Sequence, residues 1–124
     1  MAAGDVELIR EIYDRWLRGD SVRGLVAEDL EYVNPPEAVE GGTQRGRHVL
    51  GRLSETYADV KVTPAQIVDA GDGRVAVVAN LEGVARASGV FIEWQLGFVW
   101  TVRDGQAVRF EWFRNPAEAL RAAG

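Results

Sequence analysis

Two polar side chains lie two positions apart on one predicted strand. Tyr32 and Asn34 share a face with Leu30, because alternate residues of a strand point to the same side. Leu30 is apolar, so this face is predicted to be buried, and the phenol and amide are candidate contacts for a ligand. Asn34 also precedes Pro35, and the alternative is that its side chain satisfies backbone groups where the strand ends.

Two glutamates are the candidate acids or bases. Glu82 alternates with Leu81, and Glu111 with Trp112, so the apolar neighbours predict that both carboxylates point away from the core. If Glu82 instead points inward, it is the candidate base. A β-bulge that shifts the register by one residue would likewise bring Glu111 into a pocket.

Other kinds of chemistry lack the residues that they need. The chain has no cysteine, and its single histidine, His48, has no second ligand at helical spacing and is predicted to be solvated. Residues 41–46 are rich in glycine but lack the Lys and Ser/Thr that follow a phosphate-binding loop. We therefore expect no metal, no cofactor and no covalent intermediate.

The candidate pocket needs a wall, and residues 90–102 supply one. Their large apolar side chains fall on every second position, so that one strand presents a continuous aromatic and aliphatic face. Burying each of these side chains stabilises the fold by on the order of 2 kcal/mol. The members are Ile92, Trp94, Leu96, Phe98 and Trp100.

Three helices are predicted to precede the main run of strands. Asp5 is expected to cap the first, which Gly19 ends, and Ser21 to cap a short second one. A strand at 29–34 and a loop at 37–46 lead to a third helix that runs from about Arg47 to about Asp59.

The pattern changes from period 3.6 to period 2 near residue 60 and predicts four antiparallel strands. Turns are expected at 71–73, at 88–89 and at Asp104–Gly105, which is the strongest hairpin signal. Asn115 and Pro116 open a last helix, with Glu118 at the capping-box position. We predict an α+β fold: one domain, 1–124, in which a curved antiparallel sheet forms a cone over three N-terminal helices.

Charge and hydropathy limit the partners. The net charge is −5 from 14 basic and 19 acidic residues, without a basic block, so we expect neither nucleic acid nor a membrane as partner. No apolar run approaches the ~18 residues of a membrane span, and the N-terminus lacks the pattern of a signal peptide. We expect a cytoplasmic protein.

Four segments resemble the nuclear transport factor two-like superfamily, and within it the SnoaL-like and ketosteroid-isomerase-like group. These are IYDRWLRGD at 12–20, EYVNP at 31–35, RGR at 45–47 and VWTVRDG at 99–105. The resemblance implies a cone-shaped (cystatin-like) α+β barrel with a pocket between the helices and the concave face of the sheet. It also implies a homodimer through the convex face. Activities in the superfamily range from isomerases, cyclases, dehydratases and epoxide hydrolases to proteins without catalysis.

The residues at the superfamily's catalytic positions depart from its pattern. The resemblance places Asn34 where ketosteroid isomerases carry the proton-transferring carboxylate, and Phe98 where they carry a protonated acid. It places Trp112 at the acid of limonene-epoxide-hydrolase-like members, in which a tyrosine and an asparagine matching Tyr32 and Asn34 hold the attacking water. Steroid-isomerase chemistry is therefore not expected.

We predict a homodimer whose aromatic pocket binds a small hydrophobic or polycyclic metabolite. The activity that this pocket could support is cofactor-free acid–base chemistry of isomerase, cyclase or hydratase type. One alternative is water addition by Tyr32, Asn34 and Glu82. Another is a non-catalytic dimeric module that recognises its partner through Glu93, Gln95, Arg109 and Glu111. The predicted pocket consists of Tyr13, Trp16, Tyr32, Asn34, Tyr57, Trp94, Leu96, Phe98, Trp100, Phe110, Trp112 and, at its rim, Arg114.

Overall fold

A six-stranded curved sheet forms the body of the protein, and the computed structural model describes residues 2–35, 42–51, 55 and 57–124. None of the helices in these ranges has the length and apolar content of a membrane span. The elements are helix α1 (Ala2–Arg18), strands β1 (Val26–Asn34) and β2 (Gly42–Arg45), a 3-10 helix (Arg47–Gly51), strands β3 (Tyr57–Gly71), β4 (Arg74–Ala85), β5 (Phe91–Arg103) and β6 (Gln106–Phe113), and helix α2 (Pro116–Ala123).

The strands are arranged in the order β2-β1-β6-β5-β4-β3. β3 to β6 form the predicted antiparallel meander, but β1 pairs with β6 in parallel, so the sheet is mixed. The prediction of an antiparallel sheet was therefore wrong at this one pairing. Since β1 and β6 are distant in sequence, no hairpin sets their relative direction.

Helix α1 is amphipathic and buries Ile9, Ile12 and Tyr13 completely. It begins at Ala2, so Asp5 lies in its first turn and does not cap it as predicted. It ends as predicted at Gly19, whose φ of 78° allows a Schellman motif. In this motif Gly19 N donates to Trp16 O at 3.1 Å, and Asp20 N donates to Arg15 O at 2.7 Å.

The predicted second helix is absent, and this correction has a local cause. Ser21 does accept a hydrogen bond, from Arg23 N at 3.2 Å, but the chain then turns and enters β1 at Val26. Pairing with β6 outweighs the helical signal, because Leu25 O accepts from Ala107 N and Val26 is fully buried.

Two further predictions in this region were wrong. The 3-10 helix Arg47–Gly51 stands where the third helix was predicted to begin, residues 52–54 and 56 of that helix lie outside the described residues, and Tyr57 is already in β3, paired with Ala85. The predicted loop contains strand β2, which pairs with β1, whereas residues 37–41 lie outside the described residues. One long N-terminal helix, not three, is therefore present among the described residues.

The two Asp-Gly turns form tight hairpins, as predicted. Asp72 and Gly73 have φ values of 54° and 78°, and Asp104 and Gly105 have 50° and 78°. Positive φ at both central residues is typical of the type I′ turn, whose twist matches that of the flanking strands. These turns fix the register of β4 against β3 and of β6 against β5.

The sheet has two different faces. We call the face that packs on α1 the inner face; it contributes Val75, Val77 and Ala79 of β4 to the main core. The opposite, outer face carries Ala76 and Val99, which pack with Ala119 and Ala123 of α2 in a second, smaller cluster.

Helix α2 lies close to the outer face because Gly97 leaves room for it. The Asn115 side chain caps the helix by accepting from Ala117 N at 2.9 Å, as predicted. A Cβ atom at Gly97 would lie 2.5 Å from the Cβ of Ala119 and 2.9 Å from the Cα of Pro116. The absence of a side chain at Gly97 therefore sets the distance between helix and sheet.

We expect Gly97→Ala to lower the free energy of unfolding by about 1–3 kcal/mol, because the added methyl group must displace α2. Gly24→Ala is the control, since a Cβ atom there meets nothing within 4 Å. Urea denaturation of both variants checks this prediction. Equal stability of the two variants would show that α2 does not pack on Gly97.

Candidate functional site

The deep end of the inner face is filled with aromatic rings. Trp100 lies at its centre, with ring centroids 4.6 Å from Phe110, 6.0 Å from Trp16 and 6.1 Å from Tyr13. Phe98 lies 5.1 Å from Phe110 and 6.4 Å from Tyr13. These five predicted pocket residues contact one another, so at this end they form core and not an open cavity.

One hydrogen bond runs through this aromatic core. Trp100 Nε1 donates to the Tyr13 hydroxyl oxygen at 3.0 Å, and both side chains are fully buried. Burial raises the pKa of the Tyr13 hydroxyl well above its ordinary value, and the bond from Trp100, which stabilises the phenolate, offsets this only in part. Tyr13 is therefore a neutral structural residue.

Exposure increases along β5 towards its N-terminal end. On the inner face Trp100 is 0% exposed and Phe98 6% exposed, Leu96 is half-buried, and Trp94 is 48% exposed. Among the described residues, Trp94 makes an edge-to-face ring contact with Tyr57 at 6.1 Å. The aromatic wall therefore continues beyond the packed core onto an accessible surface.

Asn34 and Trp112 are joined across the sheet. Trp112 Nε1 donates to Asn34 Oδ1 at 2.8 Å, while Asn34 Nδ2 donates to Gly42 O at 3.3 Å and Gln44 Oε1 at 3.5 Å. The amide of Asn34 thus connects β6, β1 and β2. The bond to Gly42 O agrees with the alternative expectation that the Asn34 side chain satisfies backbone groups where the strand ends. The amide oxygen of Asn34 is occupied by the bond from Trp112.

We call the half-buried or exposed inner-face residues at this side of the sheet the open-end residues. They are Tyr32, Asn34, Tyr57, Trp94, Leu96 and Trp112. Every one is uncharged, and Tyr32 stacks at an angle on Phe110 at 5.1 Å. Such a surface can bind an apolar or aromatic molecule and direct it with two phenols, two indoles and a carboxamide, but these six residues bring no carboxylate or imidazole to that molecule.

The remaining candidates lie elsewhere. Glu82 pairs with Glu93 and Lys61 on the outer face, so it does not meet Tyr32 and Asn34. Glu111 also lies on the outer face, opposite Val99, as strand alternation predicts. Arg114 is exposed between β6 and α2, and His48 is exposed in the 3-10 helix, as predicted. Within the described ranges, no group of acidic or histidine side chains could hold a metal ion.

Sequence reasoning missed a row of residues that crosses the outer face of five strands. Direct cross-strand pairing aligns them in the order Arg74, Thr101, Arg109, Glu31, Arg45, and we call them the arginine row. Glu31 lies between two guanidinium groups, 3.2 Å from Arg109 Nε and 3.4 Å from Arg45 Nη2. The turn at 88–89 and the Asp104–Gly105 turn were the signals that could have revealed the pairing of β4 with β5 and of β5 with β6.

A cleft of about 260 Å³ opens beside this row, between the sheet and α2. Its lining consists of Arg74, Val99, Thr101, Arg109, Glu111 and Ala122. The cleft and the open-end residues lie on opposite faces of the sheet, so they cannot share one ligand.

A sequence profile for the SnoaL-like domain matches residues 3–110 of the chain. Comparison with curated protein sequences gives no match. The match includes the first helix and most of the sheet, and ends within β6, two residues before Trp112.

Solved structures share the fold at low identity. An NTF2-like protein of unknown function from Burkholderia pseudomallei has a TM-score of 0.73 and 24% identity, with 95% of each chain covered. TerC, co-crystallised with polyporic acid, has a TM-score of 0.73 and 21% identity over 97% of this chain and 98% of TerC. A candidate SnoaL-like polyketide cyclase from Jannaschia has a TM-score of 0.74 and 15% identity, with 98% of this chain and 92% of the cyclase chain covered.

We expect Tyr13→Phe to remove the acceptor of the Trp100 bond and to lower the free energy of unfolding by about 1–3 kcal/mol at neutral pH. Above the ordinary tyrosine pKa of about 10, the unfolded chain loses the Tyr13 proton while the folded chain keeps it, so the wild type loses stability as the pH rises. The difference in the free energy of unfolding between the wild type and Tyr13→Phe should therefore become smaller above about pH 10. Urea denaturation at a series of pH values from neutral to alkaline measures this difference. Tyr57→Phe is the control, and an equal pH-dependent decrease in its difference from the wild type would contradict the role of Tyr13 as a buried neutral residue.

Proposed function

The chain belongs to the family of SnoaL-like domains, and from that premise we propose that it binds a small hydrophobic or polycyclic metabolite at the open end of its inner face. The observation that supports this proposal is the exposure of Trp94, at 48%, on the same strand face as the fully buried Trp100. A large aromatic side chain that remains accessible beside a packed core offers apolar contact area to a ligand.

The packed core at the deep end holds two residues of the proposed site in place. Leu96 and Trp112 rest on the core of Phe98, Trp100 and Phe110, and Asn34 holds the Trp112 indole by a hydrogen bond. A surface whose rotamers are already fixed loses little conformational entropy when a ligand binds. The Tyr32 phenol is the proposed polar contact that orients the ligand.

The chemistry that fits this surface is cofactor-free and depends on the placement of the substrate. Because the open-end residues carry no ionisable group near neutral pH, they favour reactions in which holding a flexible apolar substrate in one conformation supplies most of the acceleration. Ring closure is of this kind, and one structural neighbour is a candidate polyketide cyclase. Water addition by Tyr32, Asn34 and Glu82 has no such support, since Glu82 lies on the other face.

We expect the neutral fluorophore N-phenyl-1-naphthylamine to bind saturably, and Trp94→Ala to weaken its binding roughly tenfold through lost apolar contact. Phe91→Ala is the matched control, because it removes an exposed aromatic ring from the outer face of the same strand. Fluorescence titration measures both, with polyporic acid as a competitor. Equal weakening by the two variants, or no saturable binding, would contradict the proposed site.

A homodimer through the outer face is our second proposal. Helix α2 already covers Gly97 and Val99, but the part of the face nearer the β4–β5 turn keeps Phe91 59% exposed, with Glu93 and Gln95 beside it. An exposed aromatic ring with a polar surround is typical of a protein interface. We therefore place the contact between two copies at this part of the face.

Phe91→Arg should dissociate such a dimer, because it would place two guanidinium groups in one two-fold interface. Leu17→Arg is the control, since Leu17 is 47% exposed but lies on α1. Light scattering at several concentrations gives the mass of each protein. A mass that is unchanged by Phe91→Arg would rule out this interface.

A further inference from the structure

The cleft beside the arginine row contains cationic groups with few acceptors. Arg109 Nε is buried and lies at ion-pair distance from Glu31 but outside hydrogen-bond geometry, and Arg109 Nη2 is 4.0 Å from Glu111 Oε1. Among the residues that the structure describes, no carboxylate forms an ion pair with Arg74, which lines the same cleft. A buried donor such as Arg109 Nε is usually satisfied, whereas the Arg74 side chain is exposed, so an acceptor in the cleft would supply a partner to Arg109 and replace water at Arg74.

Strand register brings the donors together. Arg74 and Arg109 are the direct cross-strand neighbours of Thr101 on either side, so their side chains leave the sheet on both flanks of the Thr101 hydroxyl. Two guanidinium groups and a hydroxyl can donate to both oxygens of one carboxylate. Val99 and Ala122 add an apolar floor and wall to the same cleft.

We propose that this cleft binds the carboxylate group of a small organic acid, independently of the open-end site. The formal charges of the cleft and the rest of the arginine row, three arginines (Arg74, Arg109, Arg45) and two glutamates (Glu31, Glu111), sum to one positive charge, which a single negative charge neutralises. A phosphate dianion would add repulsion from Glu111. A volume of about 260 Å³ admits a small organic acid, whose hydrocarbon part contacts Val99 and Ala122.

The test uses benzoate as the probe, followed by amide resonances in NMR titrations. We expect saturable shifts at Val99, Thr101 and Ala122, with methyl benzoate, which lacks the charge, causing none of them. Arg74→Gln should weaken benzoate binding roughly tenfold or more. Arg103→Gln, which removes the same charge from an exposed outer-face position outside the cleft lining, should leave binding unchanged.

A second variant separates the shape of the cleft from its charge. Ala122→Leu keeps all charges and the helical propensity of α2 but fills the cleft, so it should also abolish the benzoate shifts. The proposal is overturned if benzoate shifts only the open-end residues, if Arg103→Gln weakens binding as much as Arg74→Gln, or if phosphate binds as tightly as benzoate. It is overturned as well if Ala122→Leu dissociates a dimer, because the cleft would then be a subunit interface.

Discussion

The burial of Trp100 against Tyr13 is the interaction on which the remaining arrangement depends. It joins the C-terminal half of α1 to the C-terminal half of β5, through two residues separated by 87 positions in sequence, with a ring contact and a hydrogen bond in a fully buried environment. Because these rings fill the deep end of the inner face, the ligand site that we propose lies at the side where exposure increases from Leu96 to Trp94. The indole N–H and the phenol oxygen satisfy each other, so the core tolerates two polar atoms without water.

The sheet separates two kinds of chemistry because strand residues alternate between its faces. On β4, the inner Val75, Val77 and Ala79 alternate with Arg74, Ala76 and Val78, and the outer face becomes charged only where α2 does not cover it. On β4 the charged side chains Arg74 and Glu82 therefore lie on the outer face, whereas the inner positions are apolar. A shift of one residue in register would exchange the two, and the type I′ turns at Asp72–Gly73 and Asp104–Gly105 prevent it.

Local signals in the sequence predicted the elements whose partners are also local. The Asp-Gly turns, the end of α1 at Gly19 and the Asn115 cap depend on a few neighbouring residues, and the structure confirms them. Long-range pairing decided the rest: β6 holds residue 26 in a strand despite the Ser21 cap, and β4 holds Tyr57 in a strand despite its helical spacing. The alternation of side chains along each strand also correctly predicted that Tyr32, Asn34 and Phe98 lie on the inner face. The arginine row could not be read directly, because its five members come together only through four separate strand pairings.

Three positions that the resemblance associates with acids are neighbours in this structure. Phe98 pairs with Trp112 across β5 and β6, and Trp112 donates to Asn34 on β1. The residue types at these three positions depend on one another. The Trp112 indole N–H and the Asn34 carboxamide oxygen form a neutral hydrogen bond. A carboxylate at residue 112 alone would confront the Asn34 oxygen, and one at residue 98 would replace a ring that packs against Phe110 and Tyr13. Residues 34, 98 and 112 thus form a mutually compatible uncharged surface, which is why we propose the binding of an apolar molecule at this inner face rather than proton transfer by a buried acid.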